Sequence, residues 1–132
     1  KKIVGLIGLA AAVDFGNELY KNLTKKNKKE ITNIGITKYT SYGFSYFLKS
    51  KFFIEAKKNN ILDKKFNFNK PLILIHGMKD SEVSLNMPQK ILKITTGINA
   101  QIIYLKSSDH RLSKTKDLLV INNTIDNIRS LI

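Results

Sequence analysis

Cysteine is absent from the 132 residues, which removes disulfide staples and any thiol nucleophile and suits a reducing compartment, so a cytoplasmic location is the expectation. Arginine is nearly as scarce, Arg111 and Arg129 being the only two among 23 basic side chains. The formal charge of +13, with only 10 acidic groups against it, invites a phosphate-rich partner. Readers of phosphates and bases favour the planar, bidentate guanidinium over the ammonium point charge. No nucleic-acid partner is therefore expected, and runs such as Lys25, Lys26, Lys28 and Lys29 read as solvated surface. No apolar run is long enough to span a bilayer, so no membrane span is expected. Gly5 and Gly8 lack the third glycine and the ribose-binding acid of a dinucleotide fingerprint. The two histidines, His76 and His110, lie far apart in sequence, so no metal is expected, and no cofactor either. The length fits one modest domain, without repeats or linkers.

Against these absences, one stretch carries most of the information. Leu72, Ile73, Leu74 and Ile75 form an unbroken apolar run opened by Pro71 and closed by His76-Gly77, the pattern of a buried strand ending in a tight turn. Strands buried on both faces belong to parallel sheets, whose chemistry sits in the loops at the carboxyl ends of the strands. Asp80 follows that turn at once. Residues 100–105 repeat the strand pattern, and Lys106-Ser107-Ser108-Asp109-His110 follows them. An acid and a histidine thus end two neighbouring predicted strands.

Residues 1–13 read two ways. Two lysines, an apolar run and three alanines have the layout of a signal peptide. Alternatively residues 3–9 are a first buried strand, which is preferred because a sheet of two strands is marginal. Residues 15–30 have Phe15, Leu19 and Leu23 at helical spacing before the lysine run. Residues 31–46 are irregular, punctuated by Gly35 and Gly43, and 47–62 read as a helix with Leu48, Phe52 and Ala56 on one face. Residues 87–95 form a further helix with Pro88 in its first turn, and residues 113–131 a last one with Leu118, Ile121, Ile125 and Ile128 inward. Strand, helix and parallel strand make a crossover unit.

The residues themselves resemble a family. His76-Gly77-Met78-Lys79-Asp80-Ser81-Glu82-Val83 resembles the His-Gly-x-x-Asp-x-x-Val segment of α/β-hydrolases, and Ser108-Asp109-His110-Arg111-Leu112 resembles their histidine loop. With the segment from Gly5 to Phe15, the chain is similar to the branch holding bacterial serine hydrolases and palmitoyl-protein thioesterases of the abhydrolase-10 type. The resemblance covers only the C-terminal half of such an enzyme. It implies an α/β class with a partial α/β-hydrolase fold: about three parallel strands, flanking helices and a helical cap insertion at about residues 15–66, in a single domain 1–132. It also implies Asp80 as orienting acid and His110 as general base in the cleavage of an acyl ester or thioester. In the cap, Tyr39, Tyr42, Phe44, Tyr46 and Phe47 either line an acyl site or pack the insertion.

Taken singly, each candidate has a plainer role. Asp80 or Asp109 can hold a turn or cap a helix, His110 can be an exposed loop histidine, and His76 reads as a structural residue at a strand end. It is the joint placement of Asp80 and His110 that favours catalysis. A metal set of His76, Asp80, Asp109 and His110 lacks closely spaced histidines.

The nucleophile is the departure from the family. Its Gly-x-Ser-x-Gly turn is missing; Gly43-Phe44-Ser45-Tyr46-Phe47 lacks the final glycine and puts large residues where the strained elbow needs small ones. The segment that forms the oxyanion hole is missing too, and Ser84 stands where the family commonly has proline. These residues alone are expected to be inactive. The sheet is expected to end in an open edge at its first strand, where a complementary N-terminal half, fused or separate, would pair. The non-enzymatic alternative is a folded remnant that binds such a half.

Overall fold

The computed structural model describes residues 2–41 and 43–130. In chain order the elements are β1 (Leu6–Leu9), α1 (Phe15–Asn22), α2 (Lys25–Ile34), β2 (Ile36–Ser41), β3 (Phe44–Lys49), α3 (Ser50–Lys58), β4 (Leu72–Gly77), α4 (Met87–Ile94), β5 (Ala100–Leu105) and α5 (Thr115–Arg129). They divide into two compact units, one holding the described residues up to Val13 and from Leu62 onward, the other residues 14–61.

In the first unit three parallel strands run in the order β1-β4-β5. The central place of β4 follows from its composition. A strand hydrogen-bonded on both sides and covered on both faces needs apolar side chains at every position rather than at alternate ones, and Leu72 to Ile75 supply them. Leu72 and Leu74 pack with Val83 and with Met87 and Ile91 of α4, and Ile102 of β5 joins that face. Ile75 packs with Ala10 and Leu112, and the surrounding Ile7, Ile73, Ile103, Val120 and Ile121 bring in α5. One helix thus covers each face. Burying side chains as fully as Leu72 and Ile75 contributes about 1.5–3 kcal/mol each.

Among the described residues β1 pairs on one side only, with β4. Its backbone N–H groups alternate: those of Leu6 and Ala10 donate to Pro71 and Ile75 carbonyls, both at 2.9 Å. The N–H groups of Ile7 and Leu9 therefore point away from β4.

The insertion is mostly helical, with an antiparallel hairpin added. The expected helix over 15–30 breaks at Leu23, because Thr24 caps a new helix by accepting a 3.1 Å hydrogen bond from the Asn27 N–H. That helix, α2, ends at Gly35 in a left-handed conformation with φ 81°. Residues 36–49, read as irregular and then as a helix start, form the hairpin β2–β3 with Tyr39 opposite Tyr46. Phe47 is a strand residue, and α3 begins at Ser50. α1 and α3 meet where Gly16 leaves room for Ala56. Asp14 Oδ1 accepts the Ile61 N–H at 2.8 Å, closing the insertion where it opened. Among the described residues no helix is long and apolar enough to cross a membrane.

Candidate active site

β4 delivers His76 and Gly77 to the carboxyl end of the sheet, and the chain turns at once, with the Asp80 N–H on the Gly77 carbonyl at 3.1 Å. The loop leaving β5 lies directly against this turn. Met78 N–H donates to Leu105 O and Lys79 N–H to Ser108 O, both at 2.9 Å. Such an approach is possible because residue 77 has no side chain: a Cβ there would come within 3.0 Å of the backbone oxygens of Ser108 and Asp109. The two loops carrying Asp80 and His110 are therefore one backbone-bonded assembly.

Within it, Asp80 Oδ2 lies 3.0 Å from His110 Nδ1. The other carboxylate oxygen accepts the backbone N–H groups of Glu82 at 2.8 Å and Val83 at 2.9 Å. The Asp80 side chain is 1% exposed and that of His110 41%. Burial alone would raise the carboxyl pKa, but the Val83 N–H, His110 and the Glu82 N–H together outweigh it and hold Asp80 below its ordinary value of 3.8. An ionised acid thus orients an imidazole through Nδ1, leaving Nε2 on an accessible ring. Chemically, such a pair can hold an imidazole ready to accept a proton at Nε2.

His110 is held by its loop as well as by Asp80. Ser108 donates from Oγ to Asp117 Oδ1 at 2.5 Å, and both residues are 1% exposed. Asp117 also accepts the Lys114 N–H at 3.3 Å on Oδ2, so the buried carboxylate ties the loop to the first turn of α5. Leu112, two residues after the histidine, adopts φ 49° and is buried in the core on the α5 face. Asp109 is exposed and accepts the Arg111 N–H at 3.1 Å, a local turn contact.

His76 is fully buried and touches the same acid, its Nε2 lying 3.4 Å from Asp80 Oδ2 and 3.2 Å from the Val83 carbonyl. The sequence marks this histidine as structural and gives no prominence to Asp117, since a carboxylate in a helix's first turn is ordinary. The spacing of Ser108 to a helix-start acid is the one signal that could have found it. No group of three or more His, Asp or Glu side chains among the described residues is arranged to hold a metal ion.

The cap aromatics sit on the hairpin. Phe44, Tyr46 and Phe47 are exposed, Tyr39 is half-buried, and Tyr42 lies outside the described residues. A separate open groove of about 590 Å³ within the insertion is lined by Tyr20, Ile31, Phe53 and Ile54, with Lys21 and Lys57 among its polar residues.

No protein-family model matches the chain. Among curated proteins it is similar to the palmitoyl-protein thioesterase ABHD10, mitochondrial, of Homo sapiens, with 30% identity over 97% of this chain and 43% of that protein. The Mus musculus counterpart is 27% identical over 97% and 44%. The chain therefore spans less than half the length of the curated relatives it matches. Among solved structures, a putative hydrolase from Agrobacterium vitis S4 superposes with a TM-score of 0.87 at 19% identity, covering 96% of this chain and 50% of that one. The mouse alpha/beta hydrolase domain-containing protein 10 gives 0.85 at 27% identity, over 98% and 53%.

Proposed function

Since this chain matches the C-terminal portion of α/β-hydrolases, we propose that it contributes the acid and the histidine of a Ser-Asp-His triad for acyl ester or thioester hydrolysis. The supporting observation is the 3.0 Å contact of buried Asp80 with Nδ1 of an accessible His110. The nucleophile and the oxyanion hole come from a complementary N-terminal half that adds to the open side of β1. No cofactor enters this reading.

In the completed site His110 Nε2 takes the serine proton as the serine oxygen attacks the acyl carbon. The proton then passes to the departing alcohol or thiol, leaving an acyl-enzyme. Water, deprotonated by the same nitrogen, releases the acid and restores the serine. Asp80 stays ionised and stabilises the imidazolium. The relatives' printed name supports a thioester-linked acyl group as the substrate class. The lack of cysteine supports a reducing, cytoplasmic setting.

Without the nucleophile, the 132 residues are inactive by themselves. A fluorophosphonate probe, which reacts with an activated serine, tests this. The expected result is no labelling of the chain alone and labelling of an added half, taken from the upstream portion of the human relative, once the two are mixed. Labelling of this chain alone contradicts the proposal. Association without labelling favours the second reading, a non-enzymatic remnant that uses the same unpaired edge of β1.

A further inference from the structure

A second histidine touches the same carboxylate oxygen of Asp80 as His110 does. The His76 ring is wholly buried, and its Nε2 faces two acceptors, the Val83 carbonyl at 3.2 Å and Asp80 Oδ2 at 3.4 Å. Neither oxygen carries a proton to give, so Nε2 must hold one. Nδ1, on the far side of the ring, meets no hydrogen-bond partner among the described residues. A proton there would be a buried donor without an acceptor, which burial penalises. Tyr104, opposite His76 in the β4–β5 register, packs edge-on against the ring with centroids 6.4 Å apart and anchors its own hydroxyl on the Leu85 carbonyl at 3.1 Å. Tyr104 and the Val83 carbonyl thus hold the imidazole beside the carboxylate.

Val83 links the contacts. Its carbonyl accepts from His76 while its N–H donates to Asp80 Oδ1 at 2.9 Å. His76 thus acts on the carboxylate twice, through Oδ2 directly and through the strand of loop that holds Oδ1.

We propose that His76 is a positioning residue for Asp80: its Nε2–H fixes the rotation of the carboxylate so that Oδ2 faces His110 Nδ1 and selects the Nδ1–H tautomer of the general base. The proposal rests on the triad reading for its catalytic meaning, but not for its test. A residue that merely filled the core would leave the His110 tautomer unchanged as long as the chain stayed folded.

Glutamine can place an amide N–H near the former Nε2, whereas asparagine reaches only to the position of Nδ1. His76→Gln and His76→Asn therefore separate positioning from packing, both variants being buried polar substitutions in the same site. The tautomer of each histidine is read by long-range proton–nitrogen NMR on the isotope-labelled chain, bound to the complementary half where solubility requires it. In the unsubstituted protein His76 is expected as Nε2–H and His110 as Nδ1–H. In His76→Asn the Nδ1–H to Nε2–H ratio of His110 should fall about tenfold, the equilibrium equivalent of about 1.4 kcal/mol, while His76→Gln stays within about twofold of the unsubstituted ratio. An Nδ1–H tautomer at His76, or an unmoved His110 ratio in His76→Asn, overturns the proposal. A moved ratio in the chain, with a complementary half that associates but stays unlabelled by the fluorophosphonate, sustains the positioning and removes the triad reading, so the two failures are distinguishable.

Discussion

At the scale of single residues, the site is decided by how a buried carboxylate is satisfied. Asp80 is buried, yet its pKa is lowered, because Val83, His110 and Glu82 offset the cost of burial. A depressed carboxyl contributes stability that is fully present above its unfolded value and is lost as pH falls through the lower folded value. Asp80→Asn should therefore flatten the acid side of the stability curve, measured as urea midpoints from neutral pH down through 3.8; an unchanged acid limb counts against the assignment. Asp80→Ala strands the Val83 N–H and should cost about 1–3 kcal/mol. The Ser108–Asp117 bond is a second such point. Both partners are buried, so Asp117→Ala should also cost about 1–3 kcal/mol, with the lost anchor seen as faster amide exchange across residues 106–112. The meeting of Asp80 with His110 was legible in the sequence because two motifs framed them. The contacts of His76 and Asp117 were not, because each depends on which loop a strand end happens to meet in space.

At the scale of elements, Gly77 is what lets two loops become one structure. A methyl group at this position would collide with backbone atoms rather than with yielding side-chain ends. Gly77→Ala should therefore push the histidine loop outward and destabilise by about 1–3 kcal/mol, the range of an overpacked interior, and urea unfolding with the His110 tautomer measures both effects. Unaltered values would mean that the loops yield freely. β5 over Ala100–Leu105 and α4 from Met87 were readable because strand and helix periods were clear there. The hairpin β2–β3 was not. Gly43, at φ 77° between its strands, looked like a breaker in an irregular stretch when it was the turn, and the alternation on either side is short. The split of α1 from α2 was carried by one local contact, Thr24 with Asn27, which a helical period running through both segments conceals.

At the scale of the whole molecule, the sheet has an internal-type strand at its border. β1 is apolar, short and paired on one side among the described residues, and such an edge is a template on which another strand can pair. Leu9 is exposed and its N–H points away from β4. Leu9→Pro should thus weaken association with a complementary half while sparing the β1–β4 ladder, as measured by titration calorimetry and far-UV circular dichroism; unweakened binding would place the partner elsewhere. The central strand, its two covering helices and the paired loops follow from apolar runs and turn residues alone. Which strand would pair with the far side of β1 does not, because strand order in a parallel sheet is set by chain segments that crossovers separate.

The most direct measurement is turnover of an acyl thioester by this chain titrated with the complementary half. Hydrolysis should be absent without that half, rise to a plateau at equimolar mixing, and fall about 10⁴-fold in His110→Ala and Asp80→Asn. Turnover by the chain alone, or turnover in the mixture that His110→Ala leaves intact, would contradict it.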